Sequence, residues 1–147
     1  MSKSNHISKA RELFLAGYNC TQSVFAAFAD KTGMDEDTAL KVAIGLGGGI
    51  GRLREVCGAL SGAAMLCGFV YGNTPDNKRK NYEAVQKIAE EFKKRNGTYI
   101  CRELLELKKD GKISSQPQVR DEEYYKKRPC LKMVEDAAEI AEQVLFN

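Results

Sequence analysis

The feature that most constrains the fold is a long apolar segment, rich in small residues, that begins near Glu55 and ends at Gly72. It contains neither proline nor an interior charge and is too long for a typical strand, so it predicts a buried central helix. Glycine destabilises a helix by roughly 1 kcal/mol relative to alanine, yet Gly58 and Gly62 lie four apart on one face. We therefore expect other backbones to approach that face closely. Cys57, at the start of the helix, is then expected in a crowded site whose other walls come from elsewhere in the chain.

A glycine cluster precedes the central helix and is followed by two arginines, Arg52 and Arg54. It does not fit the dinucleotide-binding fingerprint: counted from Gly45 the third glycine position is Ile50, counted from Gly47 it is Arg52, and no strand is predicted before it. No P-loop motif is present, so no nucleotide cofactor is expected. Two interpretations remain, a tight turn that lets the central helix pass close to its neighbours, which we favour, and a backbone nest for an anion.

Helical spacing of apolar residues recurs along the rest of the chain, and no segment alternates with the period of a strand. The sequence predicts an all-α, single-domain bundle of about six or seven helices over residues 1–147. Residues 1–6 are expected to form a flexible tail and residues 109–129 a loop-rich connection with some helix around residues 122–126. The other predicted helices cover residues 7–18, Cys20 to Gly33 with Asn19 as the N-cap, Asp35 to Ile44, Pro75 to Asn96, Cys101 to Lys108, and the chain after Pro129.

The charge balance excludes several classes of partner. Twenty-three basic and 20 acidic residues leave a net charge of +3, and no base-stacking aromatics are interleaved with the basic runs at residues 78–80 and 126–128, so nucleic acid is not expected. The N-terminus lacks the apolar core of a signal peptide. The longest apolar stretch falls short of the roughly 20 residues that span a bilayer. We expect a cytoplasmic protein with no membrane partner.

Five cysteines are the residues with the most chemical potential. In a reducing compartment they indicate metal binding, catalysis or burial more than structural disulfides, and an odd number cannot pair completely within one chain. No two lie in a CxxC pair, which excludes the signals of zinc ribbons, bacterial ferredoxins and thioredoxins. The single histidine, His6, falls in the predicted tail and gives no argument for a metal ligand, a Cys–His pair or a Ser–His–Asp triad.

Position within the predicted helices separates one cysteine from the other four. Cys67 is ten residues past Cys57, about 80° round the helix and roughly 15 Å along it, so we interpret Cys67 as a core residue. The other four lie at or near predicted helix starts: Cys20, Cys57, Cys101 and Cys130. A helix N-terminus carries partial positive charge that stabilises a thiolate, and Arg54, Arg102 and Arg128 lie beside these cysteines. Singly, each cysteine also fits a small buried hydrophobe; together the four favour a functional site.

The sequence resembles the family of redox-active proteins named for the pattern C_GCAxxG_C_C. The resemblance covers about residues 10–145 and departs from the literal name in that Val56 precedes Cys57 and Gly58 follows it, which changes no ligand. It implies four functional cysteines and a redox or metal role, with an iron–sulfur centre as a candidate, but it implies no substrate. The matching residues are Asn19-Cys20, Gly47 to Gly51, Glu55 to Ala63, Cys101 to Leu104, and Cys130.

Two hypotheses of function follow. In the first, the four cysteines converge from separate helices as ligands of an iron–sulfur cluster (zinc is less favoured) or as exchanging thiols, which makes the protein an oxidoreductase or electron-transfer protein with a redox partner protein. In the second, the chain is a non-catalytic helical interaction module whose cysteines are structural. A homodimer through the small-residue helix face is a further hypothesis. Convergence of the four sulfurs on one place separates the first from the second.

Overall fold

The computed structural model describes residues 2–107, 113–127 and 129–147, with the backbone alone for residues 2–4 and 125–127. Within those residues the chain forms eight α-helices and no strand beyond an isolated bridge, so the predicted all-α class is confirmed. The count exceeds the predicted six or seven because the helical part of the predicted loop-rich connection is a six-residue helix of its own. The helices are α1 (Ser2–Leu15), α2 (Cys20–Ala27), α3 (Glu36–Ala43), α4 (Gly58–Tyr71), α5 (Lys78–Asn96), α6 (Cys101–Leu104), α7 (Glu122–Lys127) and α8 (Cys130–Leu145).

The core lies between α2 and α4, around which the longer helices pack. The first of these two helices contacts α1, α3, α4 and α8, and the second contacts α2, α5 and α8. Almost every side chain of α2 is buried, as expected for a helix surrounded by others. The aromatic residues at the centre of the core are Phe14, Phe25, Phe28 and Phe92.

Local capping explains where several helices begin and end. The Asn19 side chain accepts a hydrogen bond from the Gln22 amide (2.9 Å), and the Gln22 side chain accepts one from the Asn19 amide (3.1 Å). This reciprocal capping box starts α2 at Cys20. Asp35 caps α3 through the Thr38 amide (2.7 Å). Gly97, with a φ of +87°, ends α5 in the left-handed conformation. All three boundaries agree with the sequence predictions.

The close approach predicted at Gly58 and Gly62 is confirmed, and the neighbour is α2. A Cβ at Gly62 would lie 2.9 Å from the Thr21 carbonyl oxygen and 3.0 Å from the Val24 Cβ. A Cβ at Gly58 would lie 2.4 Å from the Sγ of Cys20. The two helices therefore pack backbone against backbone at Gly62, and side chains of α2 lie against the α4 backbone at Gly58. Only glycine leaves the space for these contacts.

The N-terminal prediction needs correction. Residues 2–6 belong to α1 instead of a flexible tail. His6 is buried: its Nδ1 lies 2.5 Å from Glu142 Oε1, its Nε2 lies 2.9 Å from Asp30 Oδ1, and its ring stacks on Phe28 at 4.3 Å. These partners are distant in sequence, so helical periodicity could not reveal them.

Smaller differences concern other helix boundaries. The central helix begins at Gly58, three residues later than predicted. Helix α6 ends at Leu104, whereas the prediction carried it to Lys108. Of the predicted loop-rich connection, residues 113–121 are non-helical and are followed by α7, while residues 109–112 and Arg128 lie outside the described residues. In the part of the chain that the structure describes, no helix is both long and apolar enough to cross a membrane.

Cys67 is a core residue, as predicted. Its side chain is 1% exposed, and burial raises its pKa from the ordinary 9.0 to about 11. A buried thiol of this kind stays neutral across the physiological range and behaves as a small hydrophobe.

The packing of α4 against α2 predicts opposite effects of alanine at two glycines of one helix. Gly62→Ala is expected to destabilise the fold by roughly 1–3 kcal/mol because its Cβ meets the backbone of α2. The matched control is Gly68→Ala, whose nearest contact would be Asn81 Oδ1 at 3.9 Å, and which is expected to stabilise the fold by up to about 1 kcal/mol. Urea unfolding measures both. Equal effects of the two substitutions would contradict the account.

The raised pKa of Cys67 predicts a pH-dependent effect of Cys67→Ala. Between the ordinary pKa of 9.0 and the folded value of about 11, unfolding releases a proton, so this thiol lowers stability as pH rises through that window. The alanine variant loses core packing at every pH. Its deficit relative to the wild type should nevertheless shrink above about pH 9, by up to roughly 1 kcal/mol per pH unit. Urea unfolding of both proteins measures this, and a constant deficit would contradict it.

Candidate functional site

A cavity of about 710 Å³ lies where the start of α2, the loop before α4, α6 and the start of α8 meet. Four of the five cysteines line it, and Cys67 does not. The four come from segments far apart in sequence, so the fold assembles them. They are Cys20, Cys57, Cys101 and Cys130, the set that the sequence indicated.

A short antiparallel pairing brings Cys57 and Cys101 to the same wall. Val56 and Ile100 form a β-bridge, flanked by hydrogen bonds from the Cys57 amide to the Tyr99 carbonyl (2.8 Å) and from the Cys101 amide to the Glu55 carbonyl (2.5 Å). Each cysteine directly follows a bridge residue. Because side chains alternate between the two faces of a strand, the two cysteine side chains point to the face opposite to that of Val56 and Ile100. Both thiols are buried, at 5% and 7% exposed.

Cys20 reaches Cys57 through the contact between α2 and α4. It is the first residue of α2, directly after the Asn19 cap, and its Sγ lies against the Gly58 backbone. Cys57 immediately precedes that glycine. Unlike Cys57 and Cys101, Cys20 is half-buried, so a molecule in the cavity can reach its sulfur.

The start of α8 supplies the fourth cysteine and a fifth sulfur. Cys130 is the first residue of α8 and is half-buried. Met133, one turn later on the same helix face, also lines the cavity, and its Sδ lies 4.0 Å from the Cys57 Sγ. Met133 is a residue of the cysteine cavity that the sequence pattern did not single out. The signal was its spacing of three residues from Cys130.

The expected thiolate at Cys57 is not what the structure supports. Burial raises the pKa of the Cys57 thiol far above its usual range, and the nearby charge of Cys20 raises it further. The amides of Ala59 and Leu60 at the start of α4 act in the other direction but are outweighed. The helix N-terminus therefore lowers the pKa of Cys57 as predicted, but desolvation is the larger effect, so the net shift of the pKa is upward.

The glycine loop, residues 45–54, holds an unusual backbone conformation beside the cavity. Five consecutive residues, Gly48 to Arg52, have φ values from +54° to +75°, and Arg54 has +66°. Three of these six residues are not glycine, and each costs roughly 1–2 kcal/mol in this conformation. The favoured interpretation, a tight turn at the entry to α4, describes this loop. The positive φ values of the non-glycine residues Ile50, Arg52 and Arg54 strain the backbone, and such strain indicates a functional constraint.

Three arginines line the cavity, and two of them hold a neighbouring segment in place. Arg52 donates to the carbonyls of Ser114 (2.8 Å) and Gln116, and Arg120 donates to those of Phe14 (2.5 Å) and Tyr18 (2.9 Å). These hydrogen bonds hold residues 113–121 along one side of the cavity.

The third arginine contacts a cysteine directly. Arg54 Nη1 lies 3.7 Å from the Cys101 Sγ, where its positive charge favours negative charge on sulfur. Arg102, also predicted to act on the cysteines, instead donates to the Leu53 carbonyl (3.2 Å) and is not among the residues that line the cavity. The third predicted arginine, Arg128, lies outside the described residues.

The donor chemistry suits a soft metal, but the side chains are not arranged as a ready ligand set. Four thiols at one cavity are the donors that iron–sulfur clusters and structural zinc use. Among the residues that the structure describes, however, no group of three or more His, Cys, Asp or Glu side chains is placed to hold a metal ion. Metal ligation would require movement of the cysteine side chains from this arrangement.

Comparison with known proteins gives one family match. The family model described as "Putative redox-active protein (C_GCAxxG_C_C)" matches residues 18–144, a span that contains all four cavity cysteines. Searches of the curated proteins and of the solved structures returned no match. Since the model covers most of the chain, the protein belongs to the C_GCAxxG_C_C family of putative redox-active proteins.

Proposed function

We propose that this protein is a thiol redox protein that exchanges electrons with a disulfide through the cysteines of the cavity. The observation that supports it most is the placement of four cysteines, from four separate segments, around one cavity, while the fifth lies in the core. A helical interaction module with structural cysteines would not require this, nor would it leave Cys20 and Cys130 half-buried at a cavity. A cytoplasmic location, where thiols stay reduced, is part of the proposal.

The difference in exposure between Cys20 and Cys57 supports different roles for the two thiols. Cys20 is the more accessible thiol and attacks a sulfur of the substrate disulfide; a Cys20–substrate disulfide forms, and the other half of the substrate leaves as a thiolate. Loss of the Cys20 charge removes one of the causes that raise the pKa of Cys57. Cys57 then gives up its proton to solvent and attacks the Cys20 sulfur. A Cys20–Cys57 disulfide forms and the second thiolate leaves, so two protein thiols are oxidised and one disulfide is reduced.

Cys101 and Cys130 form a second potential pair at the same cavity. Exchange between the two pairs would carry the oxidation toward a redox partner protein by the same chemistry. Arg54, beside Cys101, would favour thiolate on that sulfur.

An iron–sulfur centre is the second candidate, favoured by the four thiols and the three arginines that line one cavity. Four thiolates give such a centre a net negative charge, which the arginines would offset. Its ligands would be the four cavity cysteines, and it would supply one-electron transfer. The absence of a preformed ligand set in the described residues makes disulfide exchange the better-supported candidate. Zinc is less favoured, and no nucleotide cofactor is part of the proposal.

The assigned roles predict distinct products from two serine variants. With one equivalent of a small disulfide, Cys57→Ser should keep half of the reagent attached to Cys20, because the resolving thiol is gone. Cys20→Ser should slow the exchange on the order of tenfold or more, because the accessible attacking thiol is gone. Intact-protein and peptide mass spectrometry detect the adduct, and the released thiolate gives the rate.

Cys67→Ser is the matched control because this residue is buried outside the cavity; it should exchange at the wild-type rate without an adduct. Unchanged exchange in Cys20→Ser, together with no adduct in Cys57→Ser, would contradict the roles. Iron, sulfide and zinc are measured in the same protein, purified without oxygen. Iron with sulfide and a thiolate-to-iron absorption band would favour the cluster instead.

A further inference from the structure

We infer that the cysteine cavity selects small anionic molecules, so that the disulfide it takes is one that carries carboxylates or similar negative groups. This inference rests on the proposed exchange function and adds the chemical class of the substrate. It is carried by the charge, the size and the lining of the cavity.

The charge of the cavity lining has one sign. Arg52, Arg54 and Arg120 line it, and no aspartate or glutamate is found among the described residues of its lining. The hydrogen bonds of Arg54 to a cysteine sulfur and of Arg120 to backbone carbonyls occupy N–H donors without cancelling the positive charge of either side chain. Two acidic residues adjoin these arginines in sequence, Glu55 beside Arg54 and Asp121 beside Arg120. Both are exposed, and neither belongs to the lining. The chain as a whole is nearly balanced at +3, so the positive character is a local property.

The size and the apolar walls indicate an organic molecule. A volume of about 710 Å³ falls within the range of roughly 300–1,000 Å³ that is typical of small-molecule sites. Aromatic and aliphatic side chains supply much of the lining and suit a short carbon skeleton. They are Phe14, Leu104, Leu105, Tyr124 and Met133.

The positive charge also suits the chemistry of exchange. Each exchange step expels a thiolate, and cations beside the reacting sulfurs stabilise both the attacking and the leaving anion. Arg54, 3.7 Å from the Cys101 Sγ, lies beside one of the four cavity sulfurs. A partly enclosed cationic site raises the local concentration of anions, with rate gains of about tenfold to a thousandfold. The same positive charge repels a cationic disulfide, which should therefore exchange more slowly.

Three aliphatic disulfides of similar size test the inference: dithiodiglycolate (anionic), 2-hydroxyethyl disulfide (neutral) and cystamine (cationic). Their rates with the reduced, metal-depleted protein are each divided by the rate with a small free thiol, which removes intrinsic reactivity. The anionic-to-cationic ratio should reach roughly tenfold or more at low salt. It should fall several-fold at about 0.5 M salt, because screening weakens the field.

The Arg54→Gln variant should lower this ratio, whereas Arg54→Lys should largely keep it, because lysine retains the charge. The matched control is Arg79→Gln, since Arg79 lies on the exposed face of α5, where it forms a salt bridge with Glu83 (3.0 Å); its ratio should equal that of the wild type. Circular dichroism checks the fold of each variant, and the salt dependence of the wild type tests the field without any substitution.

A ratio near one that is insensitive to salt, with all three reagents reacting, would overturn the inference and leave the proposed exchange function in place. Failure of all three reagents to react would overturn the exchange function itself, and the inference with it. A large ratio that falls with salt and with Arg54→Gln supports both.

Discussion

The backbone contact between α2 and α4 is the constraint on which the rest of the site depends. At Gly58 and Gly62 the two helices leave no space for a Cβ, and the atoms that would clash belong to Cys20, Thr21 and Val24. Side chains at these positions would push the helices apart. The same contact that stabilises the core therefore holds the first residue of α2 against the residue that precedes α4, which is how Cys20 comes to lie beside Cys57.

The entry to α4 completes the site from the other side. The left-handed run from Gly48 to Arg52 reverses the chain and delivers Arg54 to the cavity, and the bridge between Val56 and Ile100 sets Cys57 and Cys101 on one face. Non-glycine residues in this conformation lower stability. The folded chain tolerates this loss in the loop that positions Arg54 beside the Cys101 thiol. The nearby Cys57 thiol is buried, and burial raises its pKa.

The close packing of α4 and the set of cavity cysteines could be predicted from the sequence, for physical reasons. Glycines inside a buried helix are destabilising unless a neighbour needs the space, so Gly58 and Gly62 predicted close packing. Cysteines at helix starts predicted a shared site, and the structure brings the four to one cavity. What the sequence could not show depends on tertiary contacts. The burial that raises the pKa of Cys57, the partners of His6, and the carbonyls that bind Arg52 and Arg120 lie far away along the chain.

The central claim is that Cys20 and Cys57 act as one redox pair at the cavity. The most direct test is mild oxidation of the native protein with one equivalent of oxidant, followed by disulfide mapping of unreduced peptides by mass spectrometry. The account predicts a Cys20–Cys57 disulfide as the first product, with Cys67 still a free thiol. A first disulfide that includes Cys67, or oxidation that leaves both Cys20 and Cys57 reduced, would contradict it.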